Sequence, residues 1–102
     1  METRSAVYGQ LLQETARIEW AELERFFARG VLLGVAGHLD LVAVAEAIAR
    51  DDTARVEAWL RDGLLERMSE PRAQDYAVRR PTLWATVVSP WVLVQERTGT
   101  LN

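Results

Sequence analysis

The chain of 102 residues contains no cysteine, which excludes disulfide bonds and thiolate metal sites. It contains no lysine either, because all twelve basic residues are arginine. The glycines at Gly30, Gly34 and Gly37 therefore have no lysine beside them to reach a phosphate, and their spacing matches neither a P-loop nor a dinucleotide-binding fingerprint. We expect these glycines to serve caps, strands and turns.

Long apolar runs are also missing from the sequence. No stretch approaches the roughly 20 apolar residues that cross a bilayer, and residues 1–5 are polar with no apolar signal segment after them. These features predict a protein without membrane contact that is located in the cytoplasm. A net charge of −3 gives no overall field that attracts phosphate backbones, so nucleic acid is an unfavoured partner.

The composition is that of an ordinary globular protein, with 49% hydrophobic and 26% charged residues. A chain of this length is typical of one domain with one core. We therefore expect a single domain over residues 1–102, with frayed ends at residues 1–13 and 97–102.

The densest apolar run is residues 83–95, LWATVVSPWVLVQ. Its valines and its internal proline favour a strand over a helix. Both of its faces are apolar, which is typical of a central strand that is covered on both sides. Because Pro90 cannot donate a hydrogen bond to a ladder, we expect one long strand that bends there and continues to Val94.

Apolar residues at helical spacing, together with capping residues, predict four helices. Gly30 and Gly63 mark the ends of two of them, and Asp40 and Ser69 precede two others. The predicted helices cover residues 14–29, 41–50, 53–62 and 69–80.

Two shorter strands are predicted in addition to the long one. Residues 31–36 carry no charge and fit a buried strand, in which Gly34 indicates a close approach of another group to the backbone. Residues 64–68 are half polar and fit an edge strand. The sequence thus predicts an α+β fold with a small, mainly antiparallel sheet of three to four strands. About four helices are expected to pack largely on one face.

The predicted order is helix, strand, helix, helix, strand, helix, strand, which is similar to that of a winged helix. The segment LVAVAEAIARDDTARVEAWLRDGLLERM resembles the helix–turn–helix–strand passage of bacterial regulators, and this resemblance implies DNA binding.

Two features depart from that pattern. The expected wing, residues 69–81, has the sequence of a helix, and the expected recognition helix has acidic residues at its start and end that would repel phosphates. DNA binding is therefore the alternative hypothesis only. Its candidate contacts are the arginines of the third and fourth predicted helices, namely Arg55, Arg61, Arg72, Arg79 and Arg80.

Three segments are similar to a family of short uncharacterised bacterial proteins, the domain of unknown function 2288 family. These segments are ETARIEWAELERFFARG, LDLVAVAEAIARDDTARVEAWL and LWATVVSPWVLVQ. The resemblance implies a bacterial, cytosolic protein of a single domain. It implies no activity and no functional residues.

Candidates for catalysis are few. His38 is the only histidine, and Asp40 lies two residues beyond it. No nucleophile or second base is recognisable near them, and Asp40 is better explained as a helix cap. We therefore expect neither an enzyme nor a bound metal or cofactor.

The remaining signal is apolar surface near the end of the chain. If the strand bends at Pro90, the residues after the bend form an apolar ribbon near a sheet edge, which is typical of an interface. The sequence therefore predicts a protein-interaction or regulatory adaptor that forms a homodimer or binds an unidentified protein partner. The candidate interface residues are Trp84, Trp91, Val92, Leu93 and Val94.

Overall fold

The computed structural model describes residues 6–97, which form five helices and five strands. None of these helices has both the length and the apolar character needed to cross a membrane. In chain order the elements are α1 (Ala6–Glu14), β1 (Ala16–Ile18), α2 (Trp20–Arg29), β2 (Leu32–Val35), α3 (Leu41–Ala49), α4 (Thr53–Arg61), β3 (Leu65–Arg67), α5 (Glu70–Arg79), β4 (Leu83–Val88) and β5 (Trp91–Glu96).

All five strands belong to one sheet with the order β1-β4-β5-β2-β3. Neighbouring strands are antiparallel except for β2 and β5, which run parallel. The prediction of an α+β fold with a mainly antiparallel sheet is confirmed. So is the prediction that residues 64–68 hold an edge strand, because β3 ends the sheet on one side.

The sheet is covered by helices on both faces. On what we call the first face, α1, α3 and α4 pack against alternate strand residues such as Leu33 and Leu93. On the second face, α2 and α5 pack against their neighbours, such as Leu32 and Val92. The expectation that the helices lie largely on one face is therefore wrong. Both sides of β2 and β5 are apolar, and each side needs its own cover.

The long C-terminal strand expected over residues 83–94 is in fact a β-hairpin. β4 and β5 pair antiparallel, and Val88 lies directly opposite Trp91. The two residues between them, Ser89 and Pro90, form the turn, and the peptide bond that joins them is cis. Proline ends the ladder at this point, as expected, but the chain reverses instead of bending.

The helix predicted over residues 14–29 is interrupted by a strand. α1 ends at Glu14, β1 follows and pairs with β4, and α2 begins only at Trp20. The apolar stripe suggested one continuous helix, but pairing with β4 takes precedence over this local preference. The N-terminal stretch that was expected to fray forms α1 from Ala6 onwards, while residues 1–5 and 98–102 lie outside the described part of the chain.

The predicted helix ends are confirmed where they can be compared. Asp40 accepts hydrogen bonds from the backbone N–H groups of Val42 (3.0 Å) and Ala43 (3.2 Å) at the start of α3. Ser69 accepts one from the N–H of Arg72 at the start of α5. Gly30 has a φ of 77°, the left-handed conformation that ends α2.

Gly34 confirms the close approach that the sequence indicated. A Cβ atom at this position would lie 3.0 Å from Nη1 of Arg72, whose guanidinium crosses β2 on the second face. The same guanidinium donates to Glu66 of β3 (2.9 Å) and to the hydroxyl of Tyr76 (2.8 Å). Glycine thus gives the arginine room to connect the sheet edge to α5.

The winged-helix-like order describes only part of this architecture. The sheet contains β1 and a parallel β2–β5 pair, and α5 takes the place of the expected wing. Helix α4, the expected recognition helix, packs its half-buried Val56 and Trp59 against the first-face core.

Truncation of Leu93 to alanine tests the position of β5 in the middle of the sheet. Leu93 has no exposed surface, so Leu93→Ala should lower the free energy of unfolding by about 2–5 kcal/mol. The control is Val78→Ala, because Val78 is 84% exposed and should change stability by no more than about 0.5 kcal/mol. Urea unfolding measures both, and a loss below about 1 kcal/mol for Leu93→Ala would contradict this placement.

Candidate protein-interaction site

An apolar groove lies on the first face, between helices α3 and α4 and the β3 edge of the sheet. Its volume is about 240 Å³. We call it the Trp91 groove, and it is lined by Leu33, Ile48, Val56, Leu60, Leu65, Arg67 and Trp91.

Strand alternation brings the floor of the Trp91 groove together. Leu33 and Leu65 are buried and face α3 and α4, because they occupy first-face positions of β2 and β3. Trp91, the first residue of β5, is on the same face and only half-buried. The guanidinium of Arg67 lies over its ring, 5.8 Å from the ring centroid. The indole is thus flanked by apolar side chains and one cation.

Helix α4 forms the outer wall of the groove and is lightly packed. It has no fully buried residue, although Val56 and Trp59 face the core. The guanidinium of Arg55 lies 5.0 Å from the ring centroid of Trp59. Leu60 remains 48% exposed at the rim of the groove. The helix therefore leaves apolar surface uncovered beside Trp91.

The free edge of β3 borders the same groove. Ala36 and Met68 donate backbone hydrogen bonds to Leu64 and Leu32, which fixes the pairing of β2 with β3. Along a strand of an antiparallel pair, the backbone N–H and C=O groups point alternately toward the partner strand and away from it. The N–H and C=O groups of Leu65 and Arg67 therefore point away from β2. The site therefore combines apolar side chains with unpaired strand backbone.

The predicted interface residues do not form one surface. Val92, Leu93 and Val94 are at most 4% exposed, since β5 lies in the middle of the sheet and not near an edge. Trp84 is half-buried at the other end of the hairpin, where it is opposite Gln95. Of the five, Trp91 alone lines the groove. The expectation of an exposed ribbon is wrong.

The candidate nucleic-acid contacts are divided between opposite sides of the sheet. Arg55 and Arg61 belong to α4 on the first face, whereas Arg72 and Arg79 belong to α5 on the second, with Arg80 directly after it. Two of the five also form ion pairs within the protein, Arg72 with Glu66 and Arg79 with Asp75 and Glu96. The arginines therefore do not form one basic patch.

Sequence reasoning did not include Leu60 or Arg67 in the site. Leu60 follows the apolar residues Val56 and Trp59 at helical spacing, which is a usable signal for an uncovered apolar side. No local signal marks Arg67, because its contact with Trp91 depends on how β2 separates β3 from β5.

His38 is exposed and lies in the turn before α3. Asp40 is engaged as the cap of that helix and also accepts a hydrogen bond from the hydroxyl of Tyr8, at 2.8 Å. Across residues 6–97, no three His, Cys, Asp or Glu side chains converge in a way that could hold a metal ion.

Arg79 is the centre of an ion-pair cluster on the second face. Its guanidinium contacts both oxygens of Asp75 (2.9 and 2.6 Å) and both oxygens of Glu96 (2.6 and 3.0 Å). These hydrogen bonds lower the pKa of Asp75 and the pKa of Glu96. The cluster connects α5 to the end of β5.

The Arg79 cluster should therefore make stability depend on pH. A lowered carboxyl pKa in the folded state stabilises the fold above the unfolded pKa, and this contribution is lost as the pH falls. Between about pH 5 and about pH 3, the thermal midpoint should fall less steeply in Arg79→Met than in the wild type. Arg61→Met is the control, since Arg61 is exposed, and its slope should equal that of the wild type. Equal slopes for Arg79→Met and the wild type would contradict the prediction.

Comparison with known proteins agrees with the resemblance noted in the sequence. The family model described as "Protein of unknown function (DUF2288)" matches residues 6–96. The NMR solution structure of PA1075 from Pseudomonas aeruginosa is 55% identical, and the match covers 99% of this chain and 95% of that chain, with a TM-score of 0.82. No curated protein matches the chain. The chain belongs to the DUF2288 family of proteins of unknown function.

Proposed function

We propose that this protein is a protein-interaction module, a small adaptor whose partner binds in the Trp91 groove. The observation that carries the proposal is the apolar cavity of about 240 Å³ beside a half-buried tryptophan. The exposed part of Leu60 extends this apolar surface beyond the cavity. Contiguous apolar surface with a charged rim is typical of binding sites.

The residue types in the groove support the proposal. Tryptophan and arginine are enriched among the residues that dominate binding energy, and here Arg67 lies over the ring of Trp91. The two buried leucines beneath them, Leu33 and Leu65, form a floor that belongs to the sheet and is therefore rigid. A partner side chain placed in the groove would contact apolar groups on three sides.

We propose no catalytic activity, because His38 is exposed and Asp40 is engaged as a helix cap. DNA binding is the weaker alternative, since its candidate arginines lie on two faces and two of them are paired with carboxylates. The cytoplasmic location expected from the sequence stays a prediction.

We further propose that a second copy of the chain is one occupant of the groove. A two-fold axis near Leu60 would bury this residue and Trp91 in both copies, together with the free edges of both β3 strands. The short edge strand adds few backbone hydrogen bonds, so the apolar contacts carry the association.

Sedimentation equilibrium tests the homodimer. The wild type should have an average mass above 11.5 kDa at high micromolar concentration. Leu60→Arg and Trp91→Arg should remain monomeric, because each places a charge in the apolar contact. Val78→Arg adds the same charge at an 84% exposed site on α5 and should behave as the wild type.

A wild type that stays at 11.5 kDa would contradict the homodimer. The wider proposal is then tested by quantitative affinity capture from the native cytosol with the same variants. Partners held by the wild type and by Val78→Arg should be lost with Leu60→Arg. Equal capture by all three proteins would show that the groove is not the interface.

A further inference from the structure

A second cavity, on the opposite face of the sheet, lies between the C-terminal end of α2 and the turn of the β4–β5 hairpin. Its volume is about 370 Å³. We call it the Phe26 pocket, and it is lined by Phe26, Arg29, Val31, Val87, Ser89, Pro90 and Val92.

The end of α2 fixes the position of Phe26 in this pocket. Gly30 takes the left-handed conformation, its N–H donates to the carbonyl of Phe27 (3.0 Å), and the N–H of Val31 donates to the carbonyl of Phe26 (3.2 Å). These two bonds define a Schellman motif, a helix end in which an apolar residue after the glycine frequently packs against the last turn of the helix. Phe26 and Val31, which this backbone bond joins, both line the same side of the pocket.

The opposite wall comes from the hairpin and is left open by the helices. Val87 and Val92 are paired neighbours on the second face. Val92 is 4% exposed beneath the helical layer, whereas Val87 is 51% exposed. The cover provided by α2 thus ends between these two residues, and the pocket opens to solvent beside Val87.

Two guanidinium groups lie close to the ring of Phe26, and one of them, that of Arg29, also lines the pocket. Arg25 and Arg29 lie 4.9 and 5.9 Å from the ring centroid of Phe26. Elsewhere in the described chain, Arg50, Arg72 and Arg79 pair with carboxylates, but within residues 6–97 no ion pair involves Arg25 or Arg29. No acidic residue lines the pocket. In a chain of net charge −3, this is a local concentration of positive charge beside apolar surface.

The backbone of Val87 adds directional binding groups. β1 pairs with β4 only from Leu83 to Ala85, so the outer edge of β4 continues beyond the end of β1. The backbone N–H of Arg97, just after β5, donates to the carbonyl of Thr82, just before β4. The direction of the backbone groups alternates from residue to residue along β4, so the N–H and C=O of Val87 point away from β5. An extended chain could continue the sheet at this position.

We propose that the Phe26 pocket binds an extended segment of a partner protein in which apolar side chains alternate with carboxylates. The apolar side chains would enter the pocket, the carboxylates would pair with Arg25 and Arg29, and the segment's backbone would pair with Val87. A small ligand is a poorer fit, because sites for small ligands bury most of the ligand surface and this pocket is open beside Val87. The proposal does not rest on the Trp91 groove, which faces the other side of the sheet.

A phage-displayed library of random twelve-residue peptides tests this proposal. The library is selected on the full chain and counter-selected on the Arg25→Gln/Arg29→Gln variant. The selected peptides should be net negative, with aspartate or glutamate interleaved with apolar residues. Fluorescence polarisation of one such peptide should show binding weakened at least about tenfold by the double variant and by Val87→Glu, which places a carboxylate at the pocket opening.

The matched control is Arg17→Gln/Arg61→Gln, which removes the same charge at two exposed positions away from the pocket and should bind as the wild type does. Leu60→Arg should also bind normally, which separates this site from the Trp91 groove. Neutral or basic selected peptides, or equal losses in the test and control double variants, would overturn the proposal. Displacement of the peptide by decanoate, at a concentration equal to the peptide's own Kd, would also overturn the proposal. The pocket would then be a site for small amphiphiles.

Discussion

The parallel pairing of β2 with β5 holds the whole sheet together. β1, β4 and β5 form one antiparallel unit and β2 and β3 form another, and the β2–β5 pair joins them. The side-chain amide of Gln95 reinforces this junction by donating to the carbonyls of Ala36 (2.8 Å) and Leu39 (2.7 Å), just after β2. Because these two strands have neighbours on both sides and apolar residues on both faces, the remaining elements must provide cover above and below.

That requirement also explains where the two cavities are. Three helices cover the first face and two cover the second, and next to the turn of the β4–β5 hairpin each face keeps one apolar side chain that is not fully covered. Trp91 emerges there on one face and Val87 on the other. Val87 pairs with Val92, the neighbour of Trp91 in β5, and adjacent residues of a strand point to opposite faces. Val87 and Trp91 therefore belong to two separate apolar sites.

Local signals predicted the parts of this fold that local chemistry determines. Asp40 and Ser69 cap helices because their side chains reach nearby N–H groups, and Gly34 indicated a close contact that Arg72 supplies. The three residues of β1 could not be predicted, since they form a strand only by pairing with β4. The hairpin was missed because its turn, Ser89 and Pro90, lacks the glycine that usually signals a two-residue turn.

The candidate site likewise contains residues that local sequence signals predicted and residues whose positions depend on distant parts of the chain. Trp91 was predicted from the sequence as an interface residue. Val92, Leu93 and Val94 were misplaced because the position of β5 in the sheet depends on its pairing with β2, whose residues lie sixty positions earlier in the chain. The sequence identified the arginines of α4 and α5 as candidate contacts, but it did not show that they lie on different faces of the sheet. Only the packed structure places the two helices on opposite sides.

The central place of β5 has a consequence for synthesis on the ribosome. β5 is the last strand of the described chain, yet it joins the two antiparallel units, because β4 pairs with it on one side and β2 on the other. A nascent chain in which β2 and β3 have already left the ribosome therefore exposes the apolar edge of β2 until β5 emerges. The helices can form earlier because their hydrogen bonds are local, whereas the two antiparallel units can join only once β5 is available. Stalled or truncated products that lack β5 would thus present this edge to chaperones and proteases.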